Sequence, residues 1–412
     1  MQLLRNAVRP YAWGSRVAIA QLLGKPVPAP HPEAELWIGA HPGAPSTLVG
    51  VDGTAQSLLD VLGADPAGQL GTGCADRWGN RLPFLLKVLA AEEPLSLQAH
   101  PSAEQAAQGY AREEAAGIPR DAKNRNYPDP TAKPELICAL TEFHALAGFA
   151  DPHRTARLLH SLDVPELRAH VELLAAQPDS DGLRALFTTW ITLPQSSLDH
   201  LLPRVLDACV VQVRDHGEFD LEYRTILELG EAYPGDAGVL AALLLNRVVL
   251  QPDEAIFIPA GNPHAYLRGT GVEILANSDN VLRCGLTPKH VDVPELLRVL
   301  DFSFGTMPVR TGDEIAPHLF VYPTPAPEFE LSRLCWAAGS TEPVRIDHEG
   351  PQVLICTRGS VLLCGANGTR LSLGKGASAW LSAADPAVSV VPADGGPAQV
   401  FRATSGARGP AA

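Results

Sequence analysis

The sequence predicts a mainly β protein interrupted by a block of helices, and three textures along the chain carry that prediction. Residues 1–150 hold short apolar segments separated by Gly, Pro and Asp, the punctuation of strands and turns. From 151 to 246 apolar residues recur at three- and four-residue spacing, the period of a helix face. From Val248 onward strand-like texture returns and runs toward the C-terminus.

Residues 82–89 and 94–100 read as strands. In the second, the two-residue period places Ser96, Gln98 and His100 on one face and Leu95, Leu97 and Ala99 on the other. One face therefore feeds a core while the other presents polar groups to a cavity. Residues 104–116 read as a helix ending near Gly117. Helical spacing follows at 156–159, 167–174, 198–213 and 223–229. Strands are predicted again at 255–259, 272–275 and 280–283, with a short helix over 293–300. Beyond a Pro-rich linker at 323–327, evenly spaced strands at 352–357, 360–364, 369–373 and 377–381 suggest a second small sandwich or jelly roll. The predicted organisation is one β unit from 1–150 with 247–320, a helical insertion over 151–246, a C-terminal jelly roll over 321–405 and a mobile tail at 406–412.

A chain of 412 residues is too long for one ordinary core, so two or three domains are expected. A formal charge of −14 argues against a nucleic-acid surface, which relies on clustered Lys and Arg. Any anionic small molecule must be captured by a local basic pocket working against that global field. The seven cysteines are scattered without a C-x-x-C pair, as in a reducing, cytoplasmic setting rather than a disulfide framework or a cysteine–zinc site. The first residues lack the apolar run of a secretion signal, and the longest aliphatic stretch, 239–250, is interrupted by Asn246-Arg247. A monomer with no membrane partner is expected.

Three fragments converge on one chemistry: Ser96-Leu97-Gln98-Ala99-His100-Pro101, Lys133-Pro134-Glu135 and Pro259-Ala260-Gly261-Asn262-Pro263-His264. Together they offer two imidazoles, a carboxylate and an amide oxygen, a set suited to one catalytic metal with an open coordination position. Gln98 and His100 are two apart on a strand, so both can reach the same ion. His264 sits where a turn enters a strand and shares a face with Tyr266. One carboxylate against a divalent ion leaves about one positive charge, enough to keep a Lewis acid active where thiolates would quench it. In the C-terminal region His348 stands alone, so no second metal set is expected there.

These segments, with Pro10-Tyr11-Ala12-Trp13-Gly14-Ser15, the run 127–135 and Gly285-Leu286-Thr287-Pro288-Lys289-His290, resemble the type I phosphomannose isomerases of the cupin superfamily. The likeness spans nearly the whole chain apart from the helical block and the far C-terminal region. It implies cupin-type jelly rolls and a single zinc ion held by Gln98, His100, Glu135 and His264. The implied reaction interconverts mannose 6-phosphate and fructose 6-phosphate, a phosphorylated hexose substrate, by proton transfer through an enediol(ate). That chemistry needs a base beside carbon, positive charge near a developing oxyanion and an anchor for phosphate. If the segment is extended, Lys133 shares a face with Glu135 and is the candidate base, with Lys87 as a second candidate or a substrate-orienting group. Arg283 and Lys289 form a cationic pair for the phosphate or the developing charge, and Ser96 adds a hydroxyl. Glu273, Asp279 and Tyr266 match positions lining the cavity, and Trp13 an apolar wall near the sugar. One departure stands out: the family carries His immediately before the lysine, and this chain has Ala132. Two other readings stay open at this level, a sugar-phosphate-binding protein without turnover and an iron-dependent oxygenase on the same frame.

Overall fold

The computed structural model describes residues 1–50, 53–347 and 349–406; His348 and most of the predicted tail lie outside them. Two β assemblies and a helical block make up these residues. No helix among the described residues is long and apolar enough to cross a membrane.

The first assembly is an eleven-stranded sheet folded into a jelly roll of the cupin type. Its organising element is the thirteen-residue strand His264–Ala276, which takes part in both layers. The first part of this strand pairs with Leu97–Ala99 and Phe143–Phe149. Its second part pairs with Phe84–Ala91 and Glu135–Ala139. The change of partner falls at Gly269, where φ is 122° and a Cβ would sit 2.6 Å from the Glu142 carbonyl oxygen, so only glycine fits.

Each layer is sealed on its outer face by a different partner. In the second layer the alternate residues Leu86, Val88, Leu136 and Ile274 are buried and share a core with Tyr322, Phe329, Val353, Trp380 and Phe401 of the C-terminal sheet. In the first layer Leu97, Ala99, Ala265, Leu282 and Cys284 pack into the apolar core of the helical block, whose stripe includes Leu183, Leu186, Phe187, Trp190 and Leu202. The opposite faces of both layers turn inward and enclose the polar groups described below.

The helical block runs from Pro152–Ser161 through Arg168–Ala176, Ser180–Ile191 and Gln195–Arg214 to Asp220–Ala232. Of these, Ser180–Ile191 is additional to the helices read from spacing. It starts at Asp179, whose side chain accepts hydrogen bonds from the amides of Asp181 and Gly182. Four further short helices, Ala18–Leu22, Leu58–Ala64, Pro66–Leu70 and Thr72–Trp78, lie in the N-terminal stretch, where the one helix expected was that found at Ala103–Ala115. Too short to hold by propensity, they are fixed by burying Ile19, Leu58, Leu62, Leu70 and Cys74.

The C-terminal strands form a nine-stranded sheet facing a four-stranded one. Main-chain pairing cuts across the expected division at residue 320. Gln2–Arg5 pairs with Ser378–Leu381, and Thr47–Val49 and Ala55–Ser57 continue the same sheet. The N-terminal strand thereby covers an edge of the C-terminal sheet that would otherwise expose unpaired backbone groups.

Candidate metal centre

The loop preceding Glu135–Ala139 is tied down by the Asp129 carboxylate. It accepts hydrogen bonds from the Thr131 amide (3.0 Å), the Ser278 hydroxyl (2.9 Å) and the Asp279 amide (2.8 Å). Asn280 returns two bonds from its amide nitrogen to the carbonyls of Asp129 and Thr131, both 2.8 Å. Glu135 and Lys133 are thus delivered inward from a fixed loop. On the far side, Gly261 has φ 76° and its amide donates to the His100 carbonyl at 2.8 Å. A Cβ there would lie 2.9 Å from Asp301 and Val299, so glycine lets the turn seat His264 against the strand end that carries His100.

His100, Glu135 and His264 converge, their candidate ligand atoms within 4.8 Å of one another and all three side chains buried. His100 Nε2 stands 3.2 Å from Glu135 Oε1, and His264 Nε2 3.4 Å from Glu135 Oε2. Gln98 lies directly across the strand pair from His264, its amide 3.4 Å from His264 Nε2. Each imidazole is oriented by its other nitrogen. His100 Nδ1 meets the Asn280 carbonyl at 2.8 Å and His264 Nδ1 the Asn262 carbonyl at 3.0 Å. A carbonyl only accepts, so both Nδ1 atoms carry the proton, and in neutral rings both Nε2 lone pairs face the carboxylate. Burial first, and then the Lys133 charge, lower the His100 pKa to about 4, so that ring is neutral near pH 7. The His100 lone pair then points at a carboxylate, and among the described residues His100 Nε2 and Glu135 Oε2 have no hydrogen-bond partner. Buried polar atoms without partners are rare and costly. A divalent cation at their midst satisfies all of them, and the neutral nitrogen, carboxylate and amide donor set fits zinc.

Beside this cluster stands a second one. Lys87 is buried between Glu35 Oε1 and Glu273 Oε2, 3.3 Å from each. Residues Trp37, Lys87 and Glu273 are aligned in register across three adjacent strands, so their side chains leave the same face. Trp37 Nε1 donates to Glu35 Oε2 at 2.7 Å, and the Lys87 amine lies 5.3 Å from the Trp37 ring centre. Burial works against the Lys87 charge, but Glu35 and Glu273 outweigh it and hold the amine protonated well above the ordinary lysine range. Burial pushes the Glu273 carboxyl up, against the pull of Lys87. Lys133 contacts the metal cluster directly, with Nζ 3.0 Å from Glu135 Oε1. Tyr266 is buried against Phe143, and its hydroxyl has no hydrogen-bond partner among the described residues. Burial, followed by the nearby Glu273 charge, raises the Tyr266 pKa well above the ordinary tyrosine value.

The remaining sequence candidates stand further out. Arg283 is paired in register with Gln98 and donates to Ser96 Oγ at 3.3 Å. Asp279 is half exposed and pairs with His41 at 3.2 Å. Arg283, Asp279 and Lys289 line a neighbouring cavity of about 600 Å³ rather than the metal cluster. Trp13 stacks on Tyr11 with ring centres 5.7 Å apart, partly buried beside Tyr266 and Leu95. Glu35, Trp37, His41, Asp129 and Asn280 were not singled out from sequence. The alternation in Glu35-Leu36-Trp37-Ile38 was the available signal for the first two, an acid and an indole on one strand face.

Fold and site together define a jelly-roll protein built around a candidate zinc centre. Comparison with known proteins sharpens this. Residues 1–152 match the family model of the phosphomannose isomerase type I catalytic domain. The chain is 39% identical over 398 residues to mannose-6-phosphate isomerase of Escherichia coli (strain K12), covering 95% of this chain and 97% of that one. Among solved structures it superposes on a point variant of phosphomannose isomerase from Salmonella typhimurium with a TM-score of 0.88 and 35% identity, over 99% of this chain and all of the other. A zinc-bound mannose 6-phosphate isomerase gives a TM-score of 0.87 at 35% identity, covering 98% of this chain and 99% of that one. The chain belongs to the type I phosphomannose isomerase family.

Proposed function

We propose that this chain is a zinc-dependent aldose–ketose isomerase that interconverts mannose 6-phosphate and fructose 6-phosphate. The observation that carries the reading is the buried meeting of His100, Glu135 and His264 with the Lys133 amine 3.0 Å from Glu135. Gln98, His100, Glu135 and His264 would hold the metal. When bound there, zinc supplies Lewis acidity toward the sugar oxygens as negative charge develops on them.

The protein's own groups divide the remaining work. Lys133 takes the proton from one of the two reacting carbons and returns it to the other. Lys87 is better suited to donating hydrogen bonds than to abstracting protons, because two carboxylates keep it charged. Glu273 and the Tyr266 hydroxyl face the same interior and orient substrate hydroxyls, with Ser96 and Asp279 toward the outer end and Trp13 as a wall. Arg283 and Lys289 grip the phosphate, the guanidinium as a fork and the ammonium as a point charge.

Ala132 favours a second reading in which sugar phosphate binds without turnover. It lines a cavity of about 160 Å³ together with Thr131, Asn277 and Trp78, at the position where the family has His. A coupled assay for interconversion of the two hexose phosphates, run with and without a chelator, decides between them. Chelator-sensitive turnover supports the isomerase, whereas tight binding with no turnover supports the alternative.

A further inference from the structure

The cavity of about 600 Å³ beside the metal centre is lined by Arg120, Lys123, Arg125, Arg283 and Lys289 against two acids, Asp121 and Asp279. Such a basic concentration is unusual in a chain whose formal charge is −14, and the cavity falls in the size range of small-molecule sites. Two of the cations are already committed: Arg120 pairs with Glu114, and Arg125 with Glu113 and Glu114. Asp279 is likewise engaged by His41. Among the described residues Lys123, Lys289 and His290 have no ion-pair partner, although all three line the cavity or its rim. The Arg283 charge, followed by burial, lowers the Lys289 pKa, as expected for neighbouring cations with no anion between them.

The wall carrying Lys123 is rigid at its base. The Arg125 side chain is 1% exposed, donates to the Tyr127 carbonyl at 2.9 Å and pairs with both glutamates at 2.8 Å. Glu113 in turn accepts from the amides of Asn126 and Tyr127. Lys123 therefore projects from a loop whose position is set by buried contacts and needs little ordering on binding. The same cavity is lined by Arg283 and Lys289, from the separate segment whose strand pairs with Gln98.

We propose that Lys123 forms a second wall of the phosphate site, with His290 beside Lys289 on the first, so that a dianionic phosphate monoester is gripped from both sides of this cavity. This rests on the assignment of Arg283 and Lys289 to the phosphate, and it adds a specificity-determining residue from a different part of the chain. A hexose 6-phosphate suits the arrangement, because its phosphate lies at the opposite end of the carbon chain from the reacting carbons.

Calorimetric titration of the zinc-loaded chain with inorganic phosphate tests this without requiring turnover. Lys123→Met weakens phosphate binding about tenfold, the loss expected for one charge-assisted contact. Lys123→Arg recovers most of it, which a purely structural role for the loop would not give. In steady-state assays Lys123→Met raises KM for mannose 6-phosphate by a similar factor, with a smaller effect on kcat. Wild-type phosphate affinity in Lys123→Met overturns the proposal. If Lys289→Met alone weakens binding, the second wall is wrong and the phosphate assignment stands. If neither variant weakens it, the assignment of Lys289 falls too.

Discussion

Between the two sheets of the C-terminal region the facing side chains are Leu334, Trp336, Val361, Leu363, Leu373, Val390 and Val400, all buried and all apolar. Inside the first jelly roll the inward positions hold an apolar cluster that includes Leu89, Ile137, Ala139 and Phe143, and with it Glu35, Lys87, His100, Lys133, Glu135, His264 and Glu273, all buried and all ionisable. Both regions are antiparallel sandwiches with the same two-residue alternation. The difference shows what each interior is for. Aliphatic contact stabilises the first by exclusion of water. Charge in the second costs desolvation energy that pairing recovers only in part, so it marks chemistry rather than stability.

Substitutions can break that contrast, and the largest effect is expected at the metal cluster. Glu135→Ala or His264→Ala should reduce zinc from about one per chain to near none, and activity by roughly 10³-fold, the loss of several kcal/mol of Lewis-acid stabilisation. Metal analysis after gel filtration checks it. Lys133→Met should retain zinc yet lose about 10²–10⁴-fold in kcat, the usual contribution of a positioned base, and isotope exchange at substrate C2 should vanish.

Stability should respond in the opposite sense. Leu363→Ala in the C-terminal sandwich should cost about 2–5 kcal/mol in chemical denaturation while leaving zinc content intact. Replacing Lys87, Glu35 and Glu273 together by Met, Gln and Gln should change stability little or raise it, yet impair turnover, because a charge cluster removed whole leaves no buried orphan charge. Acid should act on the metal-free protein through His100. Its folded pKa is about 4 against an ordinary 6.5, so between those values the unfolded chain binds a proton that the folded one does not. Stability therefore falls as pH drops from 6.5 toward 4, by on the order of 3 kcal/mol, measurable by denaturation at stepped pH. The smallest effect concerns Ala132→His, which should raise kcat by up to about tenfold if a group there relays a proton. No gain would mean that the departure is harmless.

How much of this was legible depended on distance along the chain. Gln98 and His100 could be placed on one face because strand alternation is local. The candidate ligand set across three distant segments became readable through the likeness of their motifs to a family. Glu35 was not legible, since its meaning comes from Lys87 and Glu273, on neighbouring strands far away in sequence. The pairing of Gln2–Arg5 with Ser378–Leu381 was invisible for the same reason. The short helices between Leu58 and Trp78 escaped because tertiary burial, not periodicity, holds them.

Anomalous scattering at the zinc edge, from crystals grown with one equivalent of zinc, tests the central claim most directly. One peak is predicted at about 2.0–2.2 Å from His100 Nε2, His264 Nε2, a Glu135 oxygen and the Gln98 amide oxygen. A peak elsewhere, or none between those four side chains, would contradict it.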